Sequence, residues 1–326
     1  MTVRSYQHRL SGGLAGLLLA AAVGLAACTD SGSPTVASSA TGPSSGNGDR
    51  STTILRGGGQ AIDPSYFADG SCIRYRPTSG NRHLTVFLDA GHGGIDPGAV
   101  GRTESGKPIY EGNVTLPVEL DTMALLRAKG FTVVVSRTRN TTVLRLRPRD
   151  LAGKIFSLVG AHNEVAARDI CANDAHANLL VGIYFDASTS SYAAGSVTTY
   201  DAARPFSREN LRLAKLLQAS VVAAMNRKGW QIPNDGVPND IGLGSSNGDP
   251  ATSALAAMAL QYHRLMLLGP AMKGYFSTPS EMPGALIEPL FITDPFEGSI
   301  AANAKDRHVI ASGIAHAVEE YFSSRR

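Results

Sequence analysis

Short apolar runs with β-strand character alternate with helical segments along most of this chain, and this alternation constrains its fold most strongly. Strands are predicted at residues 83–89, 131–136, 179–185 and 196–200, with further candidates at 266–268 and 285–291. Helices are predicted at residues 111–129, 148–175, 207–227 and 296–322, and a loop rich in Gly, Pro, Asn and Asp at 229–252. The pattern predicts an α/β domain with a mostly parallel sheet.

The N-terminus has the pattern of an export signal. Arg4 and Arg9 precede an apolar run, residues 10–27, that is too short and too rich in Gly and Ala to be a membrane span. The run ends in small residues before Cys28, which resembles the lipobox of bacterial lipoproteins. That resemblance implies that residues 1–27 are a lipoprotein signal peptide and that Cys28 is lipidated. The alternative is an ordinary secretory signal followed by a chance cysteine.

The cysteine count fits an exported protein. The chain has three cysteines, Cys28, Cys72 and Cys171. If Cys28 carries lipid, the other two remain as a pair, and an exported compartment permits a disulfide bond between them. Two buried thiols are the alternative.

Composition separates a tether from a folded part. Residues 29 to about 60 are dominated by Ser, Thr, Gly and Pro and lack an apolar period, so this stretch cannot bury enough surface to fold. We therefore assign residues 28–70 to the lipidated cysteine and a flexible tether, and residues 71–326 to one catalytic domain. The expected location is the cell envelope, with the protein anchored by lipid to the outer side of the cytoplasmic membrane.

Charge and composition exclude several classes of protein. The chain has 43% hydrophobic and 17% charged residues, which excludes collagen, a coiled coil and a polytopic membrane protein. Removing the signal peptide with its two arginines leaves 28 basic against 27 acidic residues. A near-neutral chain without a basic run is a poor candidate for binding nucleic acid, so none is expected as a partner.

Polar residues capable of chemistry lie near the predicted strand ends. His92 follows the first strand, Tyr184 and Asp186 lie at the end of the third, and Glu288 interrupts an apolar strand. A carboxylate in such a strand is costly to bury without a partner or a task. Glu111 opens a helix, where an acid also suits the helix dipole. A metal-free loop histidine, a capping acid and a structural acid are the alternatives for His92, Glu111 and Glu288.

The segment LDAGHGGIDPGA, residues 88–99, resembles the opening motif of the zinc-dependent N-acetylmuramoyl-L-alanine amidases. Further pieces of the family pattern follow in order over residues 83–322, ending with ALIEPLF near the C-terminus. The resemblance implies a mixed sheet flanked by helices on both faces. It also implies cleavage of the amide between N-acetylmuramic acid and L-alanine in peptidoglycan. His92 and Glu111 would then be zinc ligands, and Glu288 the catalytic carboxylate.

One family position differs in this chain. The family places a second histidine ligand in a strand-end motif, and here the matching residue is Tyr184. A phenol has a pKa of about 10 and is an uncommon zinc ligand. Asp186 lies two residues further along the strand and therefore points to the same face, so it is the alternative third ligand.

Three functions remain open from the sequence. The first is an active, monomeric zinc amidase that acts on peptidoglycan. The second is a catalytically degenerate lipoprotein that binds peptidoglycan or regulates a wall enzyme. The third is a carboxypeptidase or another amidohydrolase on a similar fold. Glu288 favours the first, because a chain that had abandoned catalysis would have little reason to keep this acid.

Overall fold

A nine-stranded sheet organises the protein. The computed structural model describes residues 54–55, 58–243 and 253–323. The strands are β1 (Ile54–Leu55), β2 (Gly59–Ala61), β3 (Ser71–Tyr75), β4 (Thr85–Ala90), β5 (Val100–Arg102), β6 (Pro108–Tyr110), β7 (Thr132–Arg137), β8 (Leu151–Ala152), β9 (Ile155–Phe156), β10 (Leu179–Ile183), β11 (Ser196–Thr199), β12 (Asn234–Gly236) and β13 (Gly284–Glu288). The α-helices are α1 (Glu111–Ala128), α2 (Leu158–Asp174), α3 (Ser207–Asn226), α4 (Ala254–Tyr262), α5 (Pro295–Ala302) and α6 (Ala304–Ser323).

The centre of the sheet is parallel and its edges are mixed. The strand order is β1-β2-β3-β7-β4-β10-β13-β11-β12, and the four central strands β7, β4, β10 and β13 pair in parallel. β3 joins β7, and β11 joins β13, in antiparallel pairs. Two small ribbons, β5-β6 and β8-β9, lie outside this sheet. The predicted α/β class with a mixed, mostly parallel sheet is confirmed.

Helices cover both faces of the sheet because its strands are buried on both sides. Alternate residues along β4 enter different cores: Val86 and Leu88 join the core formed with α1, α3 and α6, and Phe87 joins the core formed with α2. Near-continuous apolar strands are what a parallel sheet buried on both faces requires. The prediction of helices on both faces is therefore confirmed.

A disulfide bond ties α2 to the sheet. Cys72 in β3 and Cys171 in α2 are bonded, with Cα atoms 5.7 Å apart and a sequence separation of 99. Both residues are fully buried. This is the pairing that the cysteine count predicts.

Several predicted elements have different bounds in the structure. The segment 148–175 is only partly helical: a short 3₁₀ turn at Pro148–Asp150 and the β8-β9 hairpin precede α2, whose first turn is capped by the Ser157 hydroxyl. The predicted helix 296–322 is two helices, because Asn303 adopts an extended conformation between α5 and α6. The candidate strand at 266–268 is a turn.

Most predictions for the N-terminal region fall on residues that the structure does not describe. The signal peptide and Cys28 lie outside the described residues. β2 pairs with β3 through Gln60 and Ala61, so the sheet extends N-terminally beyond residue 71, where the sequence predicts that the domain begins. Among the residues that the structure describes, no helix has the length and apolar character needed to cross a membrane.

We predict that the disulfide contributes strongly to stability. Replacing both Cys72 and Cys171 with Ala should lower the free energy of unfolding by about 3–5 kcal/mol, because the bond closes a long loop in the unfolded chain. Urea unfolding followed by circular dichroism measures the change. Identical midpoints for the oxidised protein, the reduced protein and the double variant would contradict this expectation.

Candidate active site

The residues singled out from the sequence meet at one edge of the sheet. His92 follows β4 by two residues, Tyr184 follows β10 directly, and Glu288 is the last residue of β13. Because β4, β10 and β13 are parallel neighbours, their carboxyl ends lie side by side, which is where ligands bind in open α/β sheets. Glu111 reaches the same edge as the first residue of α1.

A cavity of about 470 Å³ opens at this edge. Its polar wall contains the five candidate residues His92, Glu111, Tyr184, Asp186 and Glu288. Its remaining wall is mostly apolar and comes from the β8-β9 hairpin, α2 and α4. The volume lies within the range typical of ligand-binding clefts.

His92 is held between two carboxylates. Its Nδ1 lies 2.7 Å from Asp96 Oδ2, and its Nε2 lies 3.1 Å from Glu111 Oε2. Burial opposes the charged imidazolium, but Glu111 and Asp96 outweigh it and raise the pKa of His92 to about 10. The backbone at His92 is left-handed, with φ at 59°, and this turns the ring back toward α1.

Glu111 is fixed by the backbone around it. Its Oε1 accepts a hydrogen bond of 3.0 Å from the Phe185 backbone N–H, and its Oε2 accepts one of 3.0 Å from that of Ala99. A Cβ at Gly98 would lie 2.7 Å from both Glu111 Oε2 and the His92 ring. Only glycine fits at this position, and this explains why the motif has a glycine there.

Tyr184 has its hydroxyl engaged away from the His92–Glu111 pair. The hydroxyl donates a hydrogen bond of 3.0 Å to Asp89 Oδ2. Burial, followed by the nearby Asp89 carboxylate, raises the pKa of Tyr184 well above its usual value. The side chain is therefore a neutral phenol whose hydroxyl hydrogen is already engaged in the hydrogen bond to Asp89.

Asp186 and Glu288 add two more acids to the cavity wall. The backbone of Asp186 is held beside β13 by bonds of 2.9 Å to Leu290 and Ile292. Burial, and then Glu111 and Asp235, raise the pKa of Asp186 to about 7, although the Ala187 N–H opposes the shift. Burial, Asp186 and Glu111 raise the pKa of Glu288 well above its usual value. The Oε2 atom of Glu288 has no hydrogen-bond partner.

Two buried arginines shape the turn that carries His92. Arg168, in α2, bonds to Asp89 at 2.5 Å and donates to the carbonyls of Ala90 and His92. Arg137, at the end of β7, donates to the carbonyl of Gly91 at 3.1 Å. Three successive carbonyls of the turn are thereby held by guanidinium groups.

Sequence reasoning missed the supporting acids of this site. From the sequence, Asp89 and Asp96 stand out only as letters of the motif, and Glu164 does not stand out. Glu164 accepts the backbone N–H groups of Val143 and Leu144 at 2.8 Å and pairs with Arg168 at 3.1 Å. The signal for Asp89 was an acid at the end of an apolar strand, the same signal that drew attention to Glu288.

Comparison with known families decides the relationship. The family described as N-acetylmuramoyl-L-alanine amidase matches residues 86–320. This chain belongs to that family. The match begins within β4 and ends within α6, so it includes His92, Glu111, Tyr184, Asp186 and Glu288.

Amidase relatives in bacteria align over most of this family member. The N-acetylmuramoyl-L-alanine amidase AmiA of Salmonella typhimurium is 26% identical over 256 residues, which are 75% of this chain and 78% of that protein. The germination-specific N-acetylmuramoyl-L-alanine amidase of Bacillus subtilis is 26% identical over 240 residues, 74% of this chain and 80% of that protein.

Solved amidases share the fold of this family member. An N-acetylmuramoyl-L-alanine amidase of Clostridium difficile 630 is 25% identical with a TM-score of 0.50, covering 76% of this chain and 100% of that one. The CwlD amidase of Clostridioides difficile, solved in complex with the GerS lipoprotein, is 20% identical with a TM-score of 0.53. That match covers 74% of this chain and 99% of CwlD.

The side chains of the site bear on whether it can hold a metal ion. Among the residues that the structure describes, no three His, Cys, Asp or Glu side chains are gathered as a metal-binding group. The donor chemistry nevertheless suits a divalent cation. The His92 imidazole lies in the same cavity wall as the buried carboxyls of Glu111, Asp186 and Glu288, and Glu288 Oε2 lacks a hydrogen-bond partner. His92 and Glu111 are already in contact, with His92 Nε2 3.1 Å from Glu111 Oε2.

We predict that the buried ion pair of Arg168 is essential to stability. Arg168→Met should lower the free energy of unfolding by about 3–5 kcal/mol, because it leaves the Asp89 carboxylate buried without its partner. Denaturant unfolding measures the loss.

The control for Arg168 is Arg149→Met. The Arg149 side chain is 68% exposed and lies 3.9 Å from Asp150, so its loss should cost less than about 1 kcal/mol. Equal effects of the two substitutions would show that the buried pair has no special role.

Proposed function

We propose that this protein is a zinc-dependent N-acetylmuramoyl-L-alanine amidase that hydrolyses the amide between N-acetylmuramic acid and L-alanine in peptidoglycan. The observation that carries the proposal is Glu288, a buried acid with a free oxygen, in the same cavity wall as the His92–Glu111 pair. Family membership supports the reaction, and the names of its amidase relatives support the substrate bond.

His92 and Glu111 are the two ligands that the family pattern assigns, and we assign the third to Asp186 in place of Tyr184. Tyr184 is a weak candidate because its hydroxyl already donates a hydrogen bond to Asp89 and its pKa is raised. The Asp186 side chain is buried, and its carboxylate accepts a bond only from the adjacent Ala187 N–H among the described contacts. It also lies close enough to Glu111 for their charges to interact. A dication would neutralise the negative charge that these acids concentrate.

The chemistry then follows from the positions of the side chains. A zinc ion held by His92, Glu111 and Asp186 would polarise the amide carbonyl and make an attacking water more acidic. Glu288 accepts a proton from that water and returns it to the leaving amine nitrogen. Asp96 orients the imidazole of His92 through Nδ1, which leaves Nε2 directed at Glu111.

A degenerate, non-hydrolysing protein that binds peptidoglycan or regulates a wall enzyme is the second candidate. It is favoured by the loss of the second histidine at Tyr184 and by the absence of a gathered three-ligand group among the described residues. Glu288 and the preserved His92–Glu111 contact favour the active enzyme.

We further propose that the protein is exported and lipid-anchored through Cys28 at the cell envelope, with residues 28 to about 53 as a tether. The catalytic domain then includes β1 and β2 and acts as a monomer. The small residues before Cys28 and the Ser-, Gly-, Thr- and Pro-rich stretch after it support this arrangement. The names of relatives in the same family, which are N-acetylmuramoyl-L-alanine amidases, support a site of action at the cell wall.

Substitution of the proposed acid–base group tests the reaction. Glu288→Gln should lower the release of stem peptides that begin at L-alanine by roughly 100-fold or more, because the proton-transfer group is lost. Full-length protein with added zinc is incubated with purified peptidoglycan, and mass spectrometry identifies the products.

The control for Glu288 is Glu281→Gln, an exposed acid outside the cavity wall, which should leave the rate unchanged. No release by the native protein under these conditions would overturn the amidase assignment. Cleavage within the stem peptide instead would assign the site to a peptidase.

A matched pair of substitutions tests the third ligand. Asp186→Asn should weaken zinc binding by at least about 100-fold, because even supporting contacts of a zinc site are worth 10–100-fold. Tyr184→Phe removes only the hydroxyl that donates to Asp89. Its zinc affinity should stay within about threefold of the native value, which is a smaller change than the loss of a supporting contact causes. Calorimetric titration of full-length protein with zinc measures both. Loss of zinc in Tyr184→Phe with retention in Asp186→Asn would restore tyrosine as the ligand.

A further inference from the structure

An exposed surface beside the mouth of the cavity combines apolar and basic side chains. The β8-β9 hairpin, the start of α2 and one residue of α4 expose five aliphatic side chains, between 37% and 46% accessible: Leu151, Ile155, Leu158, Val159 and Leu260. Arg147, Arg149 and Lys154 are exposed on the same hairpin segment. We call these eight residues the apolar-basic patch. Large side chains of this kind are mostly buried in the rest of the described protein.

The patch is continuous with the cavity. Ile155, Leu158 and Leu260 line the cavity and are also exposed at the surface, so they form part of its mouth. Leu151 pairs with Phe156 across the hairpin, which places its exposed side chain next to the same mouth. Aliphatic side chains exposed as a group, rather than singly, mark a surface that contacts something apolar.

The charge of the patch selects the partner. Between residues 145 and 163 the sequence has one acid, Asp150, and its side chain is buried and bonded to the Arg147 backbone N–H at 2.8 Å. Arg145 is paired with Asp69 at 2.6 Å, whereas Arg149 lies 3.9 Å from Asp150 and Lys154 extends from the hairpin turn. The exposed charge around the aliphatic group is therefore positive.

We propose that the apolar-basic patch docks this protein onto an anionic lipid bilayer. Aliphatic side chains flanked by Lys and Arg are the combination that enters the interface of a membrane with negative surface charge. The hairpin inserts its aliphatic side chains at the headgroup boundary, and the basic side chains meet the lipid phosphates. The cavity mouth then opens at the membrane surface. This docking is separate from the proposed lipid at Cys28 and from the proposed hydrolysis.

The depth of the hairpin in the bilayer is measured with a tryptophan. Leu151→Trp places the probe in the patch but outside the cavity wall, and Phe296→Trp places one at an exposed position of α5. Full-length variants are mixed with vesicles of phosphatidylglycerol or phosphatidylcholine. With phosphatidylglycerol, the emission at position 151 should shift to shorter wavelength and be quenched by brominated acyl chains, and the emission at position 296 should not. The native Trp230 is common to both and is subtracted.

Charge reversal tests the role of the basic residues. The triple variant Arg147→Glu, Arg149→Glu, Lys154→Glu should lower partition to phosphatidylglycerol vesicles roughly 100-fold or more, since each basic residue near an anionic surface contributes several-fold. The matched control reverses three exposed basic residues elsewhere, Arg76, Lys107 and Lys305, and so changes the net charge equally. The control should keep its partition within a few-fold.

Three results overturn the proposal. The first is an unshifted, unquenched probe at position 151. The second is equal loss of binding in the two triple variants, which would reflect net charge only. The third is self-association of the protein that the triple variant of Arg147, Arg149 and Lys154 abolishes, while the probe at position 151 shows no contact with vesicles. That result would assign the patch to a second copy of the chain. None of these measurements depends on zinc or on hydrolysis, so each is decided even if the amidase assignment fails.

Discussion

The buried ion pair between Arg168 and Asp89 is the interaction on which the candidate site depends. It joins α2 to the end of β4, and the same guanidinium group donates to the carbonyls of Ala90 and His92. A buried charge must be paired and hydrogen-bonded, so this pairing fixes the helix, the strand end and the turn together. The disulfide holds the same helix further along, at Cys171. His92 consequently leaves the sheet in a left-handed turn directed at Glu111.

The same pair explains how tyrosine is accommodated where the family has a histidine. Asp89 has two oxygens, and Arg168 takes one while the Tyr184 hydroxyl takes the other. Tyr184 is thereby drawn toward the α2 side of the sheet and completes the hydrogen bonding of a fully buried carboxylate. The cavity wall thus has a phenol at this position and acids at Glu111, Asp186 and Glu288. Burial, and then their mutual repulsion, raises the pKa values of Asp186 and Glu288.

The sequence predicted most of the framework because strand ends are local features. Apolar runs located β4, β7 and β10, and the parallel arrangement then placed His92, Tyr184 and Glu288 together. The β8-β9 hairpin was missed because its apolar residues also suit a helix, and only the turn geometry separates the two. The break at Asn303 was missed for the same reason, since the apolar spacing continues through it.

Contacts between distant residues were beyond sequence reasoning. Nothing in the spacing indicates that Arg168 reaches Asp89 across 79 positions, or that Tyr184 turns its hydroxyl to that acid. The motif glycines were predicted as part of a pattern, but the reason for Gly98 is a contact with Glu111 and His92 that only the fold creates. Side-chain direction, rather than strand position, is what the sequence leaves undetermined.

X-ray absorption spectroscopy of the zinc-loaded, full-length protein tests the central claim most directly. The account predicts one imidazole, from His92, with the other protein ligands being carboxylate oxygens, and a spectrum that Asp186→Asn alters and Tyr184→Phe does not. Two imidazoles around the metal, or a spectrum that changes only when Tyr184 is replaced, would contradict the assignment of Asp186 as the third ligand.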